Sequence, residues 1–332
     1  MILQGVNPIG QPRVTFLGHA TVMIEMDGVR VLTDPVLRAR IGPLTRLSGS
    51  PAPEAFADPD VVLISHSHWD HLDYGSLKLL GLGIHIVAPR GLGSELGRQG
   101  FGRVDEVVVG DDVEVGGLRI ETVHAEHKGF GPPVGGTERS LGFIVHGSQS
   151  HYFAGDTAYF EGMTDFDRGL DLALMPVWGW GPTAKPSEHL DPMGAARAVA
   201  TIKPRLAIPI HWGTLHPTGF KWMRPSTRID PPHQFAQLVR RLAPGTTVRV
   251  LPNGASLVVP SGSRPGPSQP AKMSMSASSR FAFGRTLATG SSKDSCSGYS
   301  TGGSARGSSP RRSMTASANS CVPTRRALVS GT

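Results

Sequence analysis

Cysteine is nearly missing from this chain of 332 residues: there are two, Cys296 and Cys321, and both lie beyond residue 260. The first 260 residues therefore need no disulfide, suit a reducing interior and offer no thiol nucleophile. Long apolar runs are missing as well. No stretch approaches the ~20 apolar residues of a membrane span, and residues 1–13 lack a charged segment followed by an apolar one. The chain thus reads as soluble and cytoplasmic. A basic body is the third absence. The net charge is +7, but ten of the 33 basic residues and one of the 26 acidic ones, Asp294, lie from Ser261 onward. The remaining 23 and 25 leave residues 1–260 at −2, which gives no reason to expect nucleic-acid binding by that part.

The length suits one large domain or two small ones. Residues 261–332 are dominated by Ser, Gly, Arg, Pro and Thr without apolar periodicity, a composition that cannot bury enough surface to offset chain entropy. The expected division is a folded domain over 1–260 and a basic, disordered Ser/Gly/Arg-rich tail over 261–332. No internal repeat is visible.

Histidine is what the chain has in abundance. All 13 lie before Ser261, and three of them, with an aspartate, fall within six residues of one another as His66-Ser67-His68-Trp69-Asp70-His71. The cluster follows the apolar run Val61-Val62-Leu63-Ile64, which reads as a short buried strand, so it sits where a strand ends and a loop opens. Imidazoles and a carboxylate suit zinc and similar borderline metals. Four ligand-type residues at this spacing point to a metal site, where one lone histidine would not.

Strands are expected at 14–17, 21–25 and 30–32, the last two joined at Asp27-Gly28, and then at 85–88, 106–109, 119–123, 141–145, 151–154, 172–177, 206–210, 247–251 and 255–259. Asp73 caps a helix over 74–80, Leu92 to Arg98 forms another, and Asp191-Pro192 opens a third ending at 202. Asp230-Pro231 opens a fourth, whose Phe235, Leu238, Val239 and Leu242 follow a core-facing stripe. Residues 36–59 and the Gly/Pro-rich 128–138 read as loops. His124 and His127 both stand near the end of the 119–123 strand, and either suits a ligand. His19, in Gly18-His19-Ala20-Thr21, reads equally as structural or as part of a site. Trp178 and Trp180, set between glycines after the 172–177 strand, fit either core packing or a substrate-facing surface. Lys221 and Arg224 lie in a segment that is either a solvated connector or an anion-gripping lid.

With its H-x-H-x-D-H loop the chain resembles the metallo-β-lactamase superfamily over roughly Arg13 to Pro260. Gly18-His19-Ala20-Thr21, Thr33-Asp34-Pro35, Leu72-Asp73, Gly155-Asp156-Thr157, His189-Leu190-Asp191-Pro192 and His211-Trp212-Gly213-Thr214 make it most similar to the branch of N-acylphosphatidylethanolamine-type phospholipase D and ascorbate-6-phosphate lactonase. The resemblance implies an α/β fold, the four-layer αββα sandwich. It also implies two ions, zinc with manganese or iron as substitutes. His66, His68 and His127 would hold one, Asp70, His71 and His211 the other, with Asp156 between them. A water shared by the ions would ionise near neutral pH and act as nucleophile, Asp70 orienting it. His189, outside that set, is the candidate to bind or protonate substrate, with Trp178, Trp180, Lys221 and Arg224 as substrate contacts. The expected activity is hydrolysis of a phosphodiester in a small-molecule or lipid-like anionic ester. A lactone or other cyclic ester is the alternative, and nucleic-acid cleavage the weaker one for a near-neutral body.

Overall fold

Runs such as 172–177 and 206–210 are apolar at every position, which is the pattern of strands covered on both faces. The computed structural model describes residues 10–127, 140–178, 187–219 and 226–262, all within one compact unit, Met1–Lys272. In chain order the strands are β1 (Arg13–Gly18), β2 (Thr21–Met26), β3 (Val29–Thr33), β4 (Arg40–Ile41), β5 (Leu44–Arg46), β6 (Val61–Leu63), β7 (His85–Pro89), β8 (Val104–Val107), β9 (Asp112–Val115), β10 (Leu118–His124), β11 (Leu141–His146), β12 (Ser150–Phe153), β13 (Leu172–Pro176), β14 (Leu206–Ile210), β15 (Leu215–Pro217), β16 (Thr247–Val248) and β17 (Ala255–Val258). The helices are α1 (Tyr74–Leu79), α2 (Gly93–Arg98), α3 (Pro192–Ile202) and α4 (Ser226–Leu242).

Two seven-stranded sheets result, ordered β17-β1-β2-β3-β6-β7-β8 and β16-β14-β13-β12-β11-β10-β9. In each, one half is antiparallel and the other parallel. Their inner faces share a core that includes Phe16, Ile24, Leu63, Phe143, Phe153 and Ile208. Leu77 of α1 and Leu92 and Leu96 beside and within α2 cover the outer face of the first sheet, against Val62 and Ile86. Val199 of α3 and Phe235 and Val239 of α4 cover the second, against Ala173 and Ala207. This is the αββα sandwich, with a core between the sheets and one beneath each helical layer.

Caps and turns follow local chemistry. Asp73 accepts from Ser76 N–H to start α1, and Asp191 from Gly194 N–H to start α3. Asp27 (φ 52°) and Gly28 (φ 84°) make the β2–β3 turn.

Four expectations are corrected. Residues 36–59 are not simply a loop: β4 and β5 pair with each other and with β15 in a small third sheet. Arg46 of β5 is buried there and donates to the carbonyls of Leu17 (2.5 Å), Val36 (2.6 Å) and Gly49 (2.9 Å). Burial without a carboxylate lowers its pKa to about 10. The strand expected at 106–109 is β8, shifted to Val104–Val107 because parallel pairing with β7 sets its register, and Val109 is exposed. β16 is shorter than the expected 247–251. Finally, α4 begins at Ser226, so Pro231 and Pro232 lie inside it rather than at its first position. Phe235 and Val239 are buried as the stripe requires, but Leu242 is 45% exposed at the last turn.

Candidate metal centre

The parallel half of each sheet delivers its strand ends to one edge, where chemistry collects in α/β folds. β6 ends at Leu63 and passes into the histidine loop. There the N–H groups of His71 and Leu72 both donate to His68 O, at 2.9 and 2.8 Å. That turn separates the His66/His68 pair from the Asp70/His71 pair. From the second sheet, β10 leads to His127, β12 to Asp156, and β14 to His211.

All four groups of side chains among the described residues that could hold a metal ion lie at this edge. They are His66, His68 and His127; His66, His71 and Asp156; His19, Asp70, His71 and His211; and His127, Asp156 and His189. His66 Nε2 and His127 Nε2 lie 2.9 and 3.2 Å from His68 Nδ1. His71 Nε2 is 3.3 Å from Asp156 Oδ2 and 3.7 Å from Asp70 Oδ2. His211 Nε2 is 3.3 Å from Asp156 Oδ1 and 3.4 Å from Asp70 Oδ2. His189 Nε2 is 3.4 Å from Asp156 Oδ2. All seven expected ligands are therefore brought together, with His127 rather than His124 at the cluster. His124 instead pairs with Glu126 at 3.1 Å, partly exposed.

The far nitrogens of four of these histidines are committed. His71 Nδ1–H donates to Asp34 Oδ2 at 2.6 Å, and the same carboxylate accepts from Ser65 N–H and Oγ–H. With its proton so used, Ser65 Oγ accepts from His66 Nδ1–H at 2.9 Å. His127 Nδ1–H donates to Glu188 O (2.7 Å), and His211 Nδ1–H to Trp178 O (2.6 Å). Four imidazoles thus have their tautomers fixed so that Nε2 faces the cluster, as outer partners of metal-binding histidines do.

Charge in this buried pocket is strongly redistributed. Burial would lower the His71 pKa, yet Asp156, Asp70 and Asp34 together hold it well above 6.5. Burial likewise opposes the rise at His211, which Asp156 and Asp70 carry to about 9. Burial favours neutral Asp70 and Asp156, but the surrounding histidines hold both well below the usual carboxylate range. Burial, then His211, lowers His19 to about 3. Burial also dominates at His127, lowered to about 4, and at His66, well below its ordinary value.

These residues fit a metal. His71 Nε2 and Asp156 Oδ1 are buried without a hydrogen bond. Nε2 and Nδ1 atoms that converge at 2.9–3.2 Å on His68 share at most one proton among three nitrogens. The 3.3–3.4 Å separations between His211 Nε2 and the two carboxylates would let all three groups ligate one ion. Where His71 and His211 face carboxylates, each Nε2 holds a cation, either a proton or a metal.

A pH dependence follows. In the metal-free chain the raised His211 pKa contributes stability that is complete below about pH 6.5 and lost as pH rises through about 9. Metal affinity runs the other way, because protons compete for the same lone pairs. Calorimetric zinc titration at pH 7 in buffers of different ionisation enthalpy should show protons released, and affinity should climb between pH 6 and 9. A buffer-independent heat would contradict this.

The other expected contacts are placed differently. Trp178 is buried, 6% exposed, and its carbonyl accepts from His211. Trp180, Lys221 and Arg224 lie outside the described residues, as does the 128–138 segment. His19, left open by the sequence, is buried with Nε2 3.0 Å from Asp70 Oδ2. Asp34 was legible as a strand end and within the Thr33-Asp34-Pro35 motif but without a role, Ser65 only as a neighbour of the histidine motif, and the carbonyls of Glu188 and Trp178 carry no sequence signal.

Fold and donor set together define an αββα protein with a candidate metal centre at the strand ends. Residues 29–212 match the model described as the Beta-lactamase superfamily domain. Over 256 residues the chain is 34% identical to the UPF0173 metal-dependent hydrolase of Methanopyrus kandleri, covering 74% of this chain and 98% of that protein. It is 33% identical over 242 residues to an uncharacterized Mycobacterium tuberculosis protein, covering 66% of this chain and 64% of that one. The chain thus spans about 64% of the length of its mycobacterial relatives. Igni18, a metallo hydrolase from Ignicoccus hospitalis, shares the fold at TM-score 0.59 and 23% identity, over 74% of this chain and 97% of that one. This chain belongs to the beta-lactamase superfamily and, within it, to the UPF0173 metal-dependent hydrolase family. Among the described residues no helix is long and apolar enough to cross a membrane.

Proposed function

We propose that this chain is a two-metal hydrolase acting on a phosphodiester, with a lactone or other cyclic ester as the second choice. The observation that carries it is that His66, His68 and His127 form one ligand group and Asp70, His71 and His211 belong to another, while Asp156 shares groups with His66 and His71 and with His127. In this reading the first three hold one ion, zinc or in its place manganese or iron, the second three hold another, and Asp156 reaches both. Bound there, such ions polarise an ester or phosphoryl oxygen and bring the pKa of a coordinated water down to about 7.

The chain's own residues do the rest. Asp70, kept ionised by its histidines, accepts a proton-bearing group and so orients the attacking water. His189 stands on the more open side, its side chain 18% exposed against 0–2% for His71, His211 and Asp156. Its Nε2 stands where it would pass a proton to the leaving oxygen as the water oxygen bonds to phosphorus and the ester P–O bond breaks, the water's own proton going to solvent and the imidazole regaining one from solvent afterwards. A two-metal site would suit in-line displacement at phosphorus and attack at a carbonyl alike, so it admits both choices. The likeness to the phospholipase D and lactonase branch supports the same two choices.

The test is a panel of phosphodiesters, including N-acylphosphatidylethanolamine, with lactones and β-lactams, offered to the zinc-loaded protein. Phosphodiester turnover is expected, with β-lactams poor. Turnover of β-lactams alone would reject the substrate class.

A further inference from the structure

His19 occupies the two-residue turn between β1 and β2 at φ 58°, a left-handed conformation uncommon outside glycine, in which asparagine, aspartate and histidine are the side chains most often found. Such backbone persists where its surroundings over-determine it. Here they do so at both ends. His19 N–H donates to Thr214 Oγ1 at 2.7 Å, and His19 O accepts from His211 N–H at 2.8 Å. His211 is itself left-handed, at φ 60°. The turn is also pressed close: Gly18, at φ 114°, has so little room that a Cβ would stand 2.7 Å from Thr214 Cγ2 and 2.8 Å from Arg46 Nη2.

The side chain points the other way along the same seam. His19 is 1% exposed, its Nε2 lies 3.0 Å from Asp70 Oδ2, and its ring centroid is 3.8 Å from that of His211. Asp70 follows β6 of the first sheet and His211 follows β14 of the second. One residue therefore touches two side chains that the proposed function assigns to the same ion, and it joins the sheets that carry them. Asparagine or glycine would satisfy the backbone as well or better. The imidazole is explained by its reach to Asp70.

We propose that His19 is a positioning residue for the Asp70–His71–His211 set, fixing Asp70 through its ring and His211 through its main chain. This rests on the reading that the set holds an ion. If it is right, the backbone and ring contributions separate by substitution. His19→Asn keeps the left-handed turn but is too short to reach Asp70, whereas His19→Gln restores an N–H donor at nearly the same reach.

The experiment is zinc titration of the metal-free full chain against a competing chelator, with the absorption of the cobalt-loaded protein and the melting temperature of the metal-free protein measured in parallel. In His19→Asn the second equivalent should weaken by about 10–100-fold, the loss typical of an outer partner, while the first is unchanged. The cobalt bands of the second equivalent should shift in His19→Asn and return toward wild type in His19→Gln. A His19→Asn variant that binds the second equivalent like wild type overturns the proposal. So does parallel weakening of both equivalents with a fall in metal-free melting temperature, which would mark a purely structural role. A wild-type chain that takes up no second equivalent overturns the two-metal reading and this proposal together; the other outcomes leave that reading standing.

Discussion

Replacing Asp156 with alanine is expected to abolish turnover and to weaken both metal equivalents, each by more than the roughly 10–100-fold that loss of an outer partner brings. The carboxylate is 2% exposed and lies 3.3 Å from both His71 Nε2 and His211 Nε2, on different oxygens, with His189 Nε2 at 3.4 Å. It also belongs to two of the ligand groups, one containing His66 and one containing His127. No other carboxylate approaches both sets among the described residues. Without it the charged forms of His71 and His211 lose the largest influence opposing burial, so the metal-free variant should also show lower histidine pKa values by NMR titration. Elemental analysis and steady-state kinetics on the same preparation check the prediction. A variant that keeps one equivalent at wild-type affinity would show that Asp156 serves a single ion.

The second large effect concerns His189. His189→Ala should retain both metal equivalents while kcat falls by roughly 10²–10⁴, the usual range for a positioned proton donor. The geometry leaves a competing outcome in plain view, since His189 shares a candidate ligand group with His127 and Asp156, its ring centroid 4.6 Å from that of His127. Metal content separates the two. Loss of an equivalent in His189→Ala would make it a ligand, and a substrate with a good leaving group should recover much of the rate if it is a proton donor.

How much of this was legible before the structure depends on where the information lies along the chain. His66, His68, Asp70 and His71 announce themselves because four ligand types sit within six residues at a strand end. Asp156 and His211 do not: a Gly-Asp-Thr turn and a lone histidine after an apolar run are common, and their meaning came from their order within a resembled family. Apolar strands alternating with capped helices pointed only to an α/β class, and the αββα layering was what the resembled family implied. The small sheet of β4, β5 and β15 was hidden, since strands of two or three residues paired across the chain leave no periodicity. Trp178 left core packing and a substrate-facing surface both open, and the structure buries the ring while its carbonyl accepts from His211. Main-chain acceptors such as Glu188 O and Trp178 O are invisible to residue identity altogether. His19 lies between these cases, with a residue type that hints at a site and a left-handed turn that only coordinates disclose.

The central claim is that two ions share Asp156, and metal counting on the active protein tests it most directly. The full chain, stripped with chelator and reloaded with zinc, should regain activity toward its best ester substrate in step with uptake of two equivalents per chain by elemental analysis. Full activity in a metal-free preparation, or a plateau of both uptake and activity at one equivalent, would contradict it.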